Sequence, residues 1–125
     1  MSTRGAVRVS LDGEKIITLF NHWDSYPKGL GEDLKDFIRK VDLDKFITSL
    51  KSAKERISNS LDEERDEGEG DVLYYLANPD RIDYSLESEN FIADTLFCEW
   101  WYELNIYSDD NSYEVVTHEN LYKEA

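Results

Sequence analysis

The sequence predicts an α+β fold, a single domain over 1–125 in which an antiparallel sheet is built from N- and C-terminal hairpins. Helices are expected to pack on one face of this sheet. Three observations lead to this prediction: apolar and polar residues alternate near both ends of the chain, apolar residues recur at helical spacing between 30 and 61, and turn-forming residues separate these segments. Strands at both ends with helices between them are typical of an α+β layer.

The N-terminal hairpin is predicted from alternation and from a turn signal. Val7 and Val9 alternate with polar residues, an Asp-Gly pair marks the turn, and a second apolar segment returns as a strand. A two-residue loop would mix the faces of the two strands. A three-residue loop keeps Val7 and Val9 on one face with Ile17 and Leu19, so we expect the odd loop length.

Two helices are expected after the hairpin. Apolar spacing indicates a first helix from Leu30 to Val41, with acidic residues early and basic residues late, as the helix dipole favours. Asp42 or Asp44 can cap a second helix, whose apolar face extends to Leu61. The charged face of this second helix is expected to be solvated.

The middle of the chain is strongly acidic. Residues 62–71 hold seven acidic side chains, two glycines and one arginine, and they are predicted to form a mobile acidic loop. The apolar run at 72–76 fits a strand or the end of a helix, and 78–80 reads as a turn. Residues 82–95 fit alternation in one part and helical spacing in another, so their secondary structure is left open.

The C-terminal hairpin is predicted to comprise a strand over 96–107, a polar turn and a strand over 113–117. Cys98 has the same parity as the apolar residues of the first strand, which favours a core thiol over a nucleophile. As the only cysteine of the chain, it excludes an intrachain disulfide and a cysteine-rich zinc site.

The net charge of −14 is unevenly distributed. Residues 1–61 carry a net charge of +2, whereas residues 82–125 carry −10. Such a field repels nucleic acid and anionic membranes and steers cationic partners towards the C-terminal part. No apolar run approaches the ~20 residues of a membrane span, and the first six residues lack the apolar block of a signal peptide. We therefore expect a cytoplasmic protein that binds neither membranes nor nucleic acid directly.

The densest polar group lies where the second strand is predicted to end, in the segment Asn-His-Trp-Asp-Ser-Tyr-Pro at 21–27. Strand ends often present functional side chains, although the same residue types also form turns. His22 can move a proton near neutral pH, Asp24 can orient it, and Arg4, across the hairpin, can hold an anion. The candidate catalytic residues are His22, Asp24 and Glu99, and the candidate ligand-binding residues are Arg4, Asn21, His22 and Tyr26.

Glu99 allows two interpretations. If its face of the strand is covered, Glu99 is a buried carboxylate that needs a partner, and Arg4 is the expected one. If that face is open, Glu99 is an ordinary solvent-exposed residue. A metal site is not predicted, because His22 and Asp24 have no evident third ligand close in sequence. The sequence shows no phosphate-binding glycine motif, and no cofactor is predicted.

Four short motifs stand out in the sequence: Thr3-Arg4-Gly5, the segment at 21–27, Leu30-Gly31 and Phe97-Cys98-Glu99-Trp100. Together they resemble a family of small, uncharacterised proteins carried by phages and prophages. The resemblance covers about half of the chain, at its two ends, and it carries no established activity. It implies a compact accessory protein that acts inside a bacterial host. The acidic stretch at 62–71 and Trp101 depart from the pattern.

Two functions are compatible with these observations. The first is a protein that binds and blocks a host protein with a basic surface, for example as an anti-defence factor that mimics the charge of nucleic acid. Its interaction face is expected to include Glu87, Glu89, Glu103, Asp109, Asp110 and Glu114. The second is a site around Arg4, His22, Asp24 and Glu99 that binds or hydrolyses a nucleotide-like small molecule.

Overall fold

The computed structural model describes residues 4–21, 24–58, 72–82, 92 and 98–120. Within them lie the strands β1 (Gly5–Leu11), β2 (Glu14–Asn21), β3 (Trp100–Tyr107) and β4 (Ser112–Glu119), and the helices α1 (Glu32–Lys40), α2 (Leu43–Ser58) and α3 (Val72–Ala77). A π-helical turn at Pro27–Gly31 precedes α1, and a 3-10 turn at Pro79–Arg81 follows α3. The predicted α+β class, with strands from both ends and helices between them, is confirmed.

The sheet is mixed, whereas an antiparallel sheet was expected. Its strand order is β2-β1-β3-β4: each hairpin is antiparallel, but the hairpins join through parallel pairing of β1 with β3. Gly5 pairs with both Asn21 and Trp100, so the chain leaves β2 and enters β3 at the same end of the sheet. A return to that end forces β3 to run parallel to β1. The helical connection is long enough for such a crossover.

The predicted face grouping of the first hairpin is confirmed, because Val7 lies opposite Leu19 and Val9 lies opposite Ile17. The predicted three-residue loop is wrong. Beyond Val9 the register shifts, so that Ser10 pairs with Lys15 and Ile16 is the extra residue of a β-bulge. A bulge changes the parity of the pairing by one residue, as an extra loop residue would.

The turn of this hairpin consists of Asp12 and Gly13. Both have positive φ, 51° and 85°, as expected for a two-residue turn whose twist matches the flanking strands. Asp12 also links the two hairpins: its carboxylate accepts hydrogen bonds from the backbone N–H of Ser108, at 2.8 Å, and from the Ser108 hydroxyl, at 2.5 Å. These bonds hold the pKa of the Asp12 carboxyl below its ordinary value of 3.8.

We expect Ser108→Ala to lower the free energy of unfolding at pH 7, and we expect that loss to shrink as the pH falls. A carboxylate whose pKa is depressed in the folded state stabilises that state above its unfolded pKa. Its contribution disappears as the pH falls from 3.8 through the lower, folded value. Urea denaturation of both proteins between pH 7 and pH 3 measures this difference. A loss that does not change with pH would contradict the role given to the Asp12 carboxylate.

Alternation gives the sheet two different faces. One face, here called the core face, carries most of the apolar residues of β1, β2 and β3, whereas Ala6, Phe20 and Trp101 lie on the opposite face. The core-face residues form one buried cluster with apolar residues of the three helices. From the strands these are Val7, Val9, Leu11, Ile17, Leu19, Tyr102, Leu104 and Ile106; from the helices they are Leu34, Ile38, Phe46, Ile47, Leu50, Ala53, Val72 and Leu76.

The helices form where the apolar spacing indicates them. Leu34 and Ile38 are buried one turn apart in α1. The backbone N–H of Lys45 donates to the Asp42 carboxylate at 3.3 Å, so Asp42 caps the start of α2. The segment left open at 72–76 is helical. The predicted loop at 62–71, the second helix beyond Ser58, residues 96–97 and almost all of 83–95 lie outside the described residues.

Candidate functional site

The motif that begins at Asn21 forms a buried corner against the sheet. The Asn21 side-chain amide donates to the Ser25 hydroxyl at 2.9 Å, and the Tyr102 hydroxyl donates to the Ser25 carbonyl at 2.5 Å. Asn21 is 8% exposed, and Ser25 and Tyr102 are fully buried. Burial raises the pKa of Tyr102 far above its ordinary value of 10.0. These contacts connect the end of β2 to β3, one of the two inner strands of the sheet.

Two glycines allow the chain to pack closely at this corner. A Cβ on Gly5 would lie 2.4 Å from the Trp100 carbonyl oxygen and 2.6 Å from the Ser25 Cβ. A Cβ on Gly29 would lie 2.2 Å from the Asp24 carbonyl oxygen, which accepts a hydrogen bond from the Leu30 backbone N–H. A side chain fits at neither position without a shift of the backbone. Motif residues from both ends of the chain therefore meet here for packing.

The exposed candidates lie around the same corner. Arg4 and Glu99 are exposed, and the Glu99 backbone N–H donates to the Arg4 carbonyl at 3.1 Å. Asp24 and Tyr26 are exposed on the turn that Ser25 anchors. Of the two interpretations of Glu99, the solvent-exposed one therefore applies. Because His22 lies outside the described residues, the proposed catalytic constellation stays a prediction.

The corner differs from the arrangement expected of a ligand site in one respect. The Asn21 amide, a predicted ligand-binding group, donates within the chain to Ser25 and is almost inaccessible to solvent.

Cys98 is fully buried, and its thiol lies 3.5 Å from the Trp100 carbonyl oxygen. This environment confirms the interpretation of Cys98 as a core thiol, because a reactive cysteine needs access to solvent.

The predicted acidic face coincides in part with the β3–β4 hairpin. Asp109, Asp110 and Glu114 are exposed on it, while Glu103 is 27% exposed and lies 2.8 Å from His118. The Glu114 carboxylate accepts hydrogen bonds from the Tyr107 hydroxyl and the Asn105 amide, both at 3.4 Å. The two remaining predicted members, Glu87 and Glu89, lie outside the described residues.

The face of the sheet opposite the core face carries a polar group that sequence reasoning did not identify. We call it the Trp101 cluster: Arg8, Trp101, Glu103 and His118. The Arg8 guanidinium carbon lies 4.8 Å from the centroid of the Trp101 ring, and the His118 ring stacks on Trp101 with centroids 4.0 Å apart and an interplanar angle of 11°. The Nε2 atom of His118 lies 2.8 Å from Oε1 of Glu103.

The strands determine how this cluster is arranged. Trp101 pairs with His118 across β3 and β4, and Arg8 pairs with Glu103 across β1 and β3. Because β1 and β4 flank β3 on opposite sides, Arg8 and His118 approach Trp101 from opposite sides. The alternation around Val7 and Val9 already places Arg8 on this face. The sequence gives no sign, however, that β1 pairs with β3, so the proximity of Arg8 to Glu103 was not predictable.

Within the described ranges, no group of three or more His, Cys, Asp or Glu side chains converges in a way that could hold a metal ion. Among the helices described, none is both long and apolar enough to cross a lipid bilayer. Comparison of the chain with protein-family models, with curated proteins and with solved structures finds no match.

Proposed function

We propose that this protein binds a basic surface of another protein through its β3–β4 hairpin and thereby blocks that surface. The observation that carries the proposal is the charge of the hairpin. Residues 98–120 contain six carboxylates and no lysine or arginine. Among the described strands, β4 is the terminal one and β3 lies next to it, so this charge lies at one side of the described sheet.

The ion pairs between described residues support an anionic surface. They are Arg39–Asp36, Lys54–Glu14 and Arg81–Asp80, together with the contact between His118 and Glu103, which is an ion pair only when the histidine is protonated. The last is the only one of these that involves a carboxylate from β3, β4 or their turn, and its partner comes from the same hairpin. Within the described part of the chain, none of these pairs joins a lysine or arginine of the first 61 residues to a carboxylate of the hairpin, although Arg8 lies opposite Glu103 on the neighbouring strand.

A surface of this kind favours a partner that normally binds nucleic acid. Proteins of that class neutralise phosphates with lysine and arginine side chains, and an anionic protein surface competes for the same side chains. The resemblance to small phage and prophage proteins favours a bacterial host protein as the target. Occupation of its nucleic-acid-binding surface would constitute the block.

We expect removal of the hairpin charge to weaken the complex at least about tenfold, because attraction between opposite charges drives the encounter. The test variant is Asp109→Asn/Asp110→Asn/Glu114→Gln, whose amides keep the hydrogen-bond acceptors. The matched control is Glu32→Gln/Asp33→Asn/Glu55→Gln, which changes the net charge equally on exposed helical positions. Each tagged protein is used to capture partners from bacterial lysate at about 50 mM and about 300 mM NaCl.

A captured protein is then purified, its affinity for each variant is measured, and displacement of bound duplex DNA is followed by fluorescence anisotropy. The proposal requires that the original protein and the control displace the DNA at low salt, and that the hairpin variant does not. Equal binding by the hairpin variant and the control would refute it. A complex that is equally stable at both salt concentrations would do the same.

A further inference from the structure

The face of the sheet opposite the core face contains a hollow of about 430 Å³ near the first turn. Five side chains from three adjacent strands line it, together with the backbone of Gly13: Lys15 from β2, Arg8 and Ser10 from β1, and Glu103 and Asn105 from β3. The pairing arranges these side chains in two rows. Lys15, Ser10 and Asn105 form one row across the sheet, and Arg8 and Glu103 belong to the next row.

The β-bulge places Lys15 in this hollow. With the register that pairs Val9 with Ile17, an undisturbed hairpin would set Ile16 opposite Ser10, on the face opposite the core face. The bulge instead sets Lys15 opposite Ser10 and leaves Ile16 only 3% exposed, within the core cluster. Bulges that redirect a side chain are frequent beside functional sites. Here the bulge places the Lys15 side chain where the Ile16 side chain would otherwise lie.

The Trp101 cluster holds the second cation of the hollow, the guanidinium of Arg8, in position. The guanidinium of Arg8 packs on Trp101, Trp101 stacks on His118, and His118 contacts Glu103, which itself lines the hollow. A guanidinium held against an aromatic ring loses little further freedom when it binds a ligand. The hollow thus combines two cationic side chains, one carboxylate, one amide and the hydroxyl of Ser10, which is 9% exposed.

We infer that this hollow binds a small organic oxyanion that also carries hydroxyl groups, the chemistry shared by sugar phosphates and hydroxy acids. Arg8 offers a planar pair of donors to a phosphate or carboxylate, and Lys15 adds a second positive charge. Glu103 and Asn105 accept hydrogen bonds from ligand hydroxyl groups, and Asn105 and Ser10 can also donate. The volume falls within the usual range for small-molecule sites, about 300–1,000 Å³.

The same contacts argue against recognition of a nucleobase by stacking on this face. Arg8 and His118 approach Trp101 from opposite sides, so neither side of the indole ring is left open as a platform. Recognition therefore depends on charge and hydrogen bonds. None of the exposed acids Asp109, Asp110 and Glu114 of the proposed interaction face lines the hollow, although Glu114 accepts a hydrogen bond from Asn105, which does.

The test is a titration of the ¹⁵N-labelled full chain, followed by NMR, with glucose 6-phosphate, citrate, inorganic phosphate and glucose as separate probes. We expect glucose 6-phosphate or citrate to bind with a dissociation constant below about 1 mM and to shift the amide signals of residues 8, 10, 15, 103 and 105. Inorganic phosphate and glucose are each expected to bind at least about tenfold more weakly. The better of the two organic anions distinguishes a phosphate from a carboxylate ligand.

Two variants and one control make this test specific. Lys15→Ala, at an exposed position, is expected to weaken binding about tenfold, and Arg8→Lys to weaken it similarly because the lysine lacks the planar pair of donors. Lys35→Ala removes the same charge from the exposed side of α1 and is expected to leave binding unchanged. An equal loss with Lys35→Ala, equal binding of inorganic phosphate, or no signal shift at about 10 mM of either organic anion would overturn the inference.

Discussion

Gly5→Ala is expected to lower the free energy of unfolding by about 3 kcal/mol, near the upper end of what overpacking costs. The added Cβ would lie 2.4 Å from the Trp100 carbonyl oxygen and 2.6 Å from the Ser25 Cβ. The first of these atoms belongs to the backbone of β3, and the second belongs to a fully buried residue, so neither can move alone. Urea denaturation followed by circular dichroism measures the loss.

Gly13→Asn is the matched control for this prediction. Gly13 has a φ of 85°, but no heavy atom lies within 4 Å of an added Cβ. Asparagine tolerates positive φ better than most residues, so we expect a loss below about 1 kcal/mol. A loss for Gly5→Ala no larger than that for Gly13→Asn would mean that an added Cβ at residue 5 meets no obstacle. The close contact between β1, β3 and the turn at Ser25 would then be wrong.

The local elements of this fold could be predicted because short-range patterns determine them. Alternation places Val7 and Val9 with Ile17 and Leu19, and this grouping is confirmed although the expected loop length is not. The alternation of apolar residues depends on the combined number of residues in the loop and in the bulge. It therefore cannot tell an extra loop residue from a bulge. The bulge at Ile16 therefore became visible only in the structure.

The pairing between the hairpins could not be predicted in the same way. An antiparallel sheet was the simplest expectation for two hairpins, but Gly5 pairs with Trp100 and the two strands run parallel. Which end of the sheet receives β3 depends on the path of the chain between Asn21 and Trp100. The periodicity of apolar residues within a strand does not depend on that path. Each hairpin has the same sequence pattern whether β1 and β3 run parallel or antiparallel.

The same limit explains what was predictable about the candidate sites. The motif at 21–27 stands out in the sequence because turn-forming and aromatic residues are dense there, and the structure assigns part of it to a buried corner. The hollow around Arg8 and Lys15 has no local signature. Its residues come from three strands, and they meet only because a bulge shifts the register and β1 pairs with β3.

Tyr102 is the residue that joins this corner to the core, and its replacement is expected to have the largest effect of all. Tyr102→Ala should lower the free energy of unfolding by about 3–5 kcal/mol, because it removes a fully buried aromatic side chain. Tyr102→Phe keeps the ring but leaves the Ser25 carbonyl without the hydroxyl donor, so we expect a loss of about 1–2 kcal/mol.

The matched control is Tyr107→Phe in the same strand. Tyr107 is 38% exposed, and its hydroxyl lies 3.4 Å from the Glu114 carboxylate, so we expect a change within about 0.5 kcal/mol. Tyr102→Phe and Tyr107→Phe remove the same atom from the same strand. A difference between them therefore measures the contact with Ser25 rather than the loss of a hydroxyl as such.

The pH dependence provides an independent check on Tyr102. Because burial raises its pKa in the folded state, only the unfolded chain ionises near the ordinary value of 10.0. Unfolding then releases a proton, so the contribution of Tyr102 to stability is complete below pH 10 and falls as the pH rises above it. This part of the alkaline decline should be absent from Tyr102→Phe. If both proteins lose stability equally above pH 10, the Tyr102 hydroxyl is open to solvent. Packing in a buried corner would then not explain the residues of the motif at 21–27.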